Sequence, residues 1–350
     1  MKACLIVGTR PQIIKSQPLI NEFKKRRIKL FVIHTGQHYD YKMSKSFFDE
    51  LEIPNPDYNL GISKGSSAKQ LAEIISKLEL RLKKINPDVV IVPGDTRSAL
   101  GGALAANSLG IPIAHIESGA RSFDPKMEEE TNRRLIDHMS SYLFAPTPNC
   151  LKNLKSESVL GMMSLSGDTM FDVFLQYKKI LKLGTKKENF ILMTIHRREN
   201  ILNKKKISGI ISTAKQLSQH GHHVVFPIHP HTKKQIKSYG LSLTGIKVIS
   251  PLKYSEILKM ISKASLLITD SGGLQKEAFW LNTQCVTIRE NTEWIETLKS
   301  KNNQLLTKIT PNDHKKIEKI LAKKFSGNKT KLFGNGNASN KIVSILSKQF

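Results

Sequence analysis

Three carboxylates stand where proton chemistry is possible: Asp95 in Gly94-Asp95-Thr96, Glu117 in Glu117-Ser118-Gly119, and Glu129 at the head of a helical pattern over 128–140. Ionised carboxylates brought together in a dry site raise each other's pKa, which equips one to give a proton and another to take one. Each also has a plain structural use. Asp95 can cap the helix after Thr96, Glu117 can hold Arg121, and Glu129 can complement the dipole of its own helix.

A second group suits phosphate. Asp270-Ser271-Gly272-Gly273 separates an apolar run from a helical stretch over 274–281. Glycines let backbone approach a phosphate closely, and a helix start offers unpaired N–H groups. The segment reads as a diphosphate cradle or as a tight strand-to-helix turn. Glu277, just inside that helix, can reach a ribose diol or serve the helix dipole. Arg10 and Lys15 follow the first apolar run, and His196-Arg197-Arg198 follows a later one. A guanidinium suits bidentate phosphate contact, although each of these cations can equally be solvated. The sequence has no strand-linked GxGxxG, no GxxxxGK[ST] and no HExxH. His220, His222, His223, His229 and His231 are clustered, but no spaced carboxylate or cysteine completes a metal set, so they read as loop and surface residues and no metal is expected.

These residues sit at the ends of short apolar runs that alternate with helical patterns. In the first half the runs are 3–7, 30–33, 89–92, 111–116 and 142–144, with helices over 67–84 and 97–109. In the second they are 190–195, 223–228, 246–249, 266–269 and 285–288. Strands apolar on both faces, alternating with helices, predict parallel sheets covered by helices. The expectation is an α/β protein of two doubly wound, Rossmann-like domains, 1–168 and 169–336. In such sheets ligands bind beyond the carboxyl ends of the strands. The polar strand ends of both halves therefore predict a site in a cleft between the domains. After the Gly334-Asn335-Gly336-Asn337 turn, residues 337–350 form an amphipathic helix.

Lys and Arg total 55 against 29 Asp and Glu, a net charge of +26, which calls for an anionic partner such as a nucleic acid, a membrane surface or a phosphorylated small molecule. Aromatics are only 7%, and no nucleic-acid motif is present, so a basic nucleic-acid-binding protein is the weaker reading. The three cysteines, Cys4, Cys150 and Cys285, form no CxxC pair and imply a reducing compartment. The apolar stretch before Gly8 is too short for a signal peptide, and no run matches the roughly 18 residues of a membrane span. A soluble, cytoplasmic protein without membrane insertion is expected.

Taken together, the motifs resemble those of the non-hydrolysing UDP-N-acetylglucosamine 2-epimerases. They are Gly8-Thr9-Arg10-Pro11 with Lys15, Thr35-Gly36-Gln37-His38, Gly94-Asp95-Thr96 and His115-Ile116-Glu117-Ser118-Gly119-Ala120-Arg121. Then come Glu129-Glu130-Thr131-Asn132-Arg133, Thr194-Ile195-His196-Arg197-Arg198-Glu199-Asn200 and Thr269-Asp270-Ser271-Gly272-Gly273-Leu274-Gln275. They run in the family's order, and their combination is specific where each alone is weak.

The resemblance implies a glycosyltransferase-B-type fold, a UDP-sugar substrate, no cofactor, a homodimer, and a last helix that crosses back onto the first domain. It implies that Arg10, Lys15, His196, Ser271, Gly272, Gly273 and Glu277 hold UDP. Asp95, Glu117 and Glu129 would do the proton chemistry, with His196 counted beside them at the leaving diphosphate. C2 of an acetamido sugar carries no acidic proton. Inversion there needs either transient oxidation, with a dinucleotide, or elimination of UDP to a 2-acetamidoglucal and readdition. The second route agrees with the family's chemistry and leaves acid and base roles open among the carboxylates.

Three positions depart from the family's usual pattern: Gln12 stands for Glu, Glu128 for Pro, and Trp294 for Arg in Thr292-Glu293-Trp294-Ile295. Gln12, Gln275-Lys276-Glu277-Ala278-Phe279 and Thr292-Glu293-Trp294 lie closer to a sister branch acting on UDP-2,3-diacetamido-2,3-dideoxyglucuronate. UDP-N-acetylglucosamine is the preferred substrate and the diacetamido-uronate the alternative. A glycosyltransferase of the same architecture and a hydrolysing 2-epimerase are the remaining rivals.

Overall fold

The computed structural model describes residues 1–36, 53–184, 186–307, 309–323 and 330–350, so Gln37 and His38 of the second-strand motif lie outside the described residues. Two compact units are present, one of residues 1–176 with 331–350 and one of residues 177–330.

The first unit is built on a seven-stranded parallel sheet: β1 (Lys2–Val7), β2 (Lys29–His34), β3 (Tyr58–Asn59), β4 (Val89–Pro93), β5 (Ile113–Ile116), β6 (Tyr142–Ala145) and β7 (Met162–Leu165). Its order is β3-β2-β1-β4-β5-β6-β7. β4 is buried at every position and β1 at all but its first, as strands covered by helices on both faces must be. Helix Ser67–Ile85 buries Ile74, Leu78, Leu82 and Ile85, one face at helical spacing. The Ser66 hydroxyl accepts from the Lys69 N–H at its start, and Asn86 ends it at φ 47°. Helix Arg97–Ser108 packs closely on both the sheet and helix Ser67–Ile85. A Cβ on Gly102 would be 3.1 Å from Val92 and 3.2 Å from Ile6, and one on Gly101 only 2.4 Å from Ile74. Its first turn, capped by Thr96, is thereby held at the end of β4.

The second unit repeats the plan with six parallel strands: β8 (Glu188–Thr194), β9 (His223–Pro227), β10 (Lys247–Ile249), β11 (Ala264–Thr269), β12 (Gln284–Thr287) and β13 (Asn303–Leu305), ordered β10-β9-β8-β11-β12-β13. In both sheets the chain walks outward from its first strand, then returns to the other side of that strand. The order reverses between β1 and β4 and between β8 and β11. The carboxyl ends flanking such a reversal are where open α/β sheets take ligands.

β3, β7 and β13 were absent from the strand runs expected above. β3 is two residues long, β7 is exposed at both ends, and β13 reads Asn-Gln-Leu, so none offers an apolar run to recognise. Helix Ala338–Leu346 belongs to the first unit and packs on helix Arg10–Lys25. Arg26 donates to Ser344 Oγ at 2.7 Å and to the Asn340 carbonyl at 3.2 Å, while Asn340 donates to Glu22 at 2.8 Å. Asp172 supplies the cap that Asn337 does not, accepting from the Ala338 and Ser339 N–H groups. All three cysteines are buried thiols. Among the described residues, no helix is long and apolar enough to cross a membrane.

Candidate active site

At the reversal of the first sheet, Gln12 ties the β1 turn to the end of β4. Its Oε1 accepts from the Gly8 and Thr9 N–H groups at 2.9 and 3.2 Å, and its Nε2 donates to the Pro93 carbonyl at 2.8 Å. Gly8 is obligatory there, because a Cβ would stand 2.0 Å from Ser98 Oγ and 2.3 Å from Thr35 Oγ1. Those two hydroxyls bond each other at 2.7 Å. Arg10 opens the helix that follows.

Lys15, one turn into that helix, donates to Glu117 Oε2 at 2.9 Å. Glu117 leaves β5 in the left-handed region at φ 72°, a conformation that costs a side-chain-bearing residue energy and tends to collect at functional sites. Arg121, the alternative partner for Glu117, is directed to Asp137 at 2.7 Å and Glu157 at 2.6 Å.

Asp95 does not cap the next helix, since Thr96 does. Its carboxylate instead receives the Arg133 guanidinium, which also reaches Glu130 at 3.0 Å, and its carbonyl accepts from Asn132 at 2.9 Å. Glu129 is half-buried in the first turn of helix Glu128–Met139, between the exposed Glu128 and the buried Glu130. Glu128 pairs with Arg97 at 2.5 Å.

Behind these groups lies a buried network that the sequence reading did not include. His115 Nδ1 is 2.6 Å from Asp137, and its Nε2 is 2.9 Å from the Gly94 carbonyl, so it anchors the turn that carries Asp95. Asp137 also accepts from the Gly119 N–H at 3.1 Å, tying down the turn that follows Glu117. Burial works against a charge on Asp137, but His115 and Arg121 outweigh it and hold its carboxyl below the usual range. A histidine inside the strand Ile-Ala-His-Ile was the available signal, because a buried imidazole requires a partner.

At the reversal of the second sheet, Asp270 organises the end of β8. Fully buried, it accepts from the N–H groups of His196 and Arg197, at 3.1 and 2.9 Å, and from Asn200 Nδ2 at 3.0 Å. The His196 ring lies 3.0 Å away with its side chain largely exposed. Burial again opposes the charge, and His196, Asn200 and the Arg197 N–H together hold the Asp270 carboxyl low.

Ser271 caps helix Gly272–Trp280, its hydroxyl accepting from Leu274 N–H at 3.3 Å. Gly273 is open: apart from its chain neighbours and its own helix backbone, only Ser271 Oγ among the described residues lies within 4 Å of a Cβ placed there. On Gly272 a Cβ would meet Glu293 at 2.5 Å. Glu293 pairs with Arg289 at 2.8 Å. Glu277 is buried in the helix. Lys276 is buried too, its ammonium 3.8 Å from the ring centre of Trp294, which is itself in the core.

The sequence model of UDP-N-acetylglucosamine 2-epimerase matches residues 21–347. The chain belongs to the UDP-N-acetylglucosamine 2-epimerase family. A Methanococcus maripaludis protein named UDP-N-acetylglucosamine 2-epimerase is 43% identical over 99% of this chain and 98% of its own length. A Pseudomonas aeruginosa UDP-2,3-diacetamido-2,3-dideoxy-D-glucuronate 2-epimerase is 37% identical over 99% of this chain and all of its own. Among solved structures, the Methanocaldococcus jannaschii UDP-GlcNAc 2-epimerase in complex with UDP-GlcNAc and UDP has a TM-score of 0.92 at 40% identity. It covers 99% of this chain and all of that one. The two-sheet architecture is therefore the glycosyltransferase-B-like fold of these epimerases.

Proposed function

We propose that this epimerase interconverts UDP-N-acetylglucosamine and UDP-N-acetylmannosamine by inverting C2. The observation that carries the reading is the placement of Asp95 and Glu117. They stand at the ends of adjacent strands, each anchored by a cation from another element, Arg133 or Lys15.

In the forward direction a carboxylate takes the C2 proton as the C1–O bond breaks. The C–H electron pair becomes the C1=C2 double bond of 2-acetamidoglucal, and UDP leaves with the C–O pair. Return of UDP oxygen to C1, with a proton delivered to the opposite face of C2, completes inversion. We assign the proton transfers to Asp95, Glu117 and Glu129. Arg10, Ser271, Gly272, Gly273 and Glu277 hold UDP, and His196 stabilises the leaving diphosphate. Lys15 serves both tasks, one of its three donors being taken by Glu117. The family resemblance supports a homodimer, and the three buried thiols fit a cytoplasmic enzyme. Light scattering on the purified chain tests the dimer.

The deciding experiment incubates the chain with UDP-N-acetylglucosamine in D2O and follows C2 by NMR. Deuterium at C2 and a manno-configured UDP-sugar are expected. A C2 that keeps its hydrogen while the sugar is demonstrably bound would sink the mechanism. The diacetamido-uronate is run in parallel, because the buried Lys276–Trp294 pair stands where the sister branch is most alike. Faster turnover of that sugar would reassign the substrate but leave the chemistry intact.

A further inference from the structure

We propose that His220, His314 and Glu318, with His222 beside them, form a binding site for one divalent transition-metal ion of the zinc class on the second unit. Along the sequence the histidines lack a carboxylate. The fold supplies one from about a hundred residues downstream.

His220 and His222 lie in the turn between helix Lys204–Gln219 and β9. His314 and Glu318 lie on helix His314–Leu321, four residues apart and so on one face. His220 Nδ1 is 2.8 Å from Glu318 Oε1, and His222 Nε2 is 3.7 Å from the same oxygen. One ligating atom each from His220, His314 and Glu318 lies within 4.8 Å of the others. Tetrahedral zinc, with bonds of about 2.0–2.1 Å, separates its ligand atoms by about 3.3 Å. Shifts on the order of 1 Å therefore convert the cluster to a coordination shell. The half-exposed His220 has room for them.

The supports of a metal site are also present. His314 is buried, and its Nδ1 donates to the Pro311 carbonyl at 2.7 Å. That bond leaves the lone pair on Nε2 and fixes the ring, as a ligand histidine's outer bond does. Thr310 and Asp313 lock the turn before the helix, at 2.6 and 2.8 Å. Ile317 and Ile320 set the helix rotation by packing into the core. Up to three imidazoles and a single carboxylate suit zinc, cobalt or nickel, whereas calcium and magnesium require mostly oxygen.

The test uses the full chain after chelation and dialysis, titrated with ZnCl2 by calorimetry and with CoCl2 by visible absorption. One equivalent of each metal should bind, and cobalt should give the intense bands of a tetrahedral site. Glu318→Gln and His220→Ala, both at partly exposed positions, should each weaken binding at least about tenfold, with unchanged circular dichroism confirming the fold. His314→Ala should do the same if it folds, and the other two variants decide the matter if it does not. The proposal falls if no saturable binding occurs below about 100 µM, or if Glu318→Gln and His220→Ala bind as tightly as the parent. Either result would mean that the His220–Glu318 contact is a hydrogen bond of the apo fold alone.

Discussion

Lys15, one turn into its helix, and Glu117, at a strand end 102 residues further on, meet at 2.9 Å, both largely withdrawn from solvent. The pair fixes a carboxylate that its own backbone, at φ 72°, delivers in an uncommon direction.

Lys15→Met should take the ammonium away from that carboxylate and lower the epimerisation rate by about 10²-fold or more, the scale of a disabled acid–base group. Steady-state kinetics with circular dichroism as a fold control checks this. A parental turnover number would show that the pair is structural only.

Asp95→Asn keeps the shape and removes the proton acceptor. Deuterium exchange at C2 should fall by about 10²–10⁴-fold, while calorimetric UDP affinity stays within a few-fold. Loss of UDP binding in parallel with exchange would move Asp95 from the proton chemistry to substrate holding.

Asp270→Asn should destabilise the second unit by about 3–5 kcal/mol, the range for removing one member of a buried charged set. The sign of the pH effect follows from its lowered carboxyl. The stabilisation is fully present above the unfolded-state value near 4 and is lost as pH falls through the folded-state value. The stability gap between parent and variant should therefore narrow in acid. Urea melts at neutral and strongly acidic pH measure it, and a gap that widened in acid would refute the account.

Lys187 donates to the Ser262 carbonyl and Thr283 Oγ1, and burial lowers its ammonium from 10.5 to about 8. The unfolded chain keeps this proton up to about 10.5, whereas the folded chain loses it near 8. Stability should rise with pH across that window. Lys187→Met should flatten the rise in urea midpoints relative to the parent, and an identical slope in both proteins would exclude this lysine as its source.

Gln12→Glu restores the residue usual in the family. An ionised carboxylate can still accept from Gly8 and Thr9 but cannot donate to Pro93. The change should cost about 1–3 kcal/mol at neutral pH and less in mild acid, where a protonated carboxyl can donate again. Thermal melts at the two pH values compare them, and equal losses at both would show that the Pro93 bond is dispensable.

Much of this layout is legible in the chain itself, for reasons of polarity. The β1 and β4 runs are apolar at successive positions, and the chemistry-bearing residues follow them directly, so the strand ends announce the site. The supporting shell is hidden because its logic is tertiary. Asp137 lies in the last turn of its helix, between Ile136 and His138, and only the folded chain shows that it answers His115, Arg121 and the Gly119 N–H. Asn303 is polar yet buried in β13, satisfied by Thr287, Gln275 and Thr297. Its strand therefore carries no hydrophobic signature.

The C-terminal helix carries a consequence for biosynthesis. Residues 331–350 complete the unit that residues 1–176 begin, with the whole of 177–330 intervening. On the ribosome, the helix that bonds Glu22, Arg26 and Asp172 emerges only after residues 177–330. The earlier-made half must wait, with part of its flank uncovered, until translation has run through the later one.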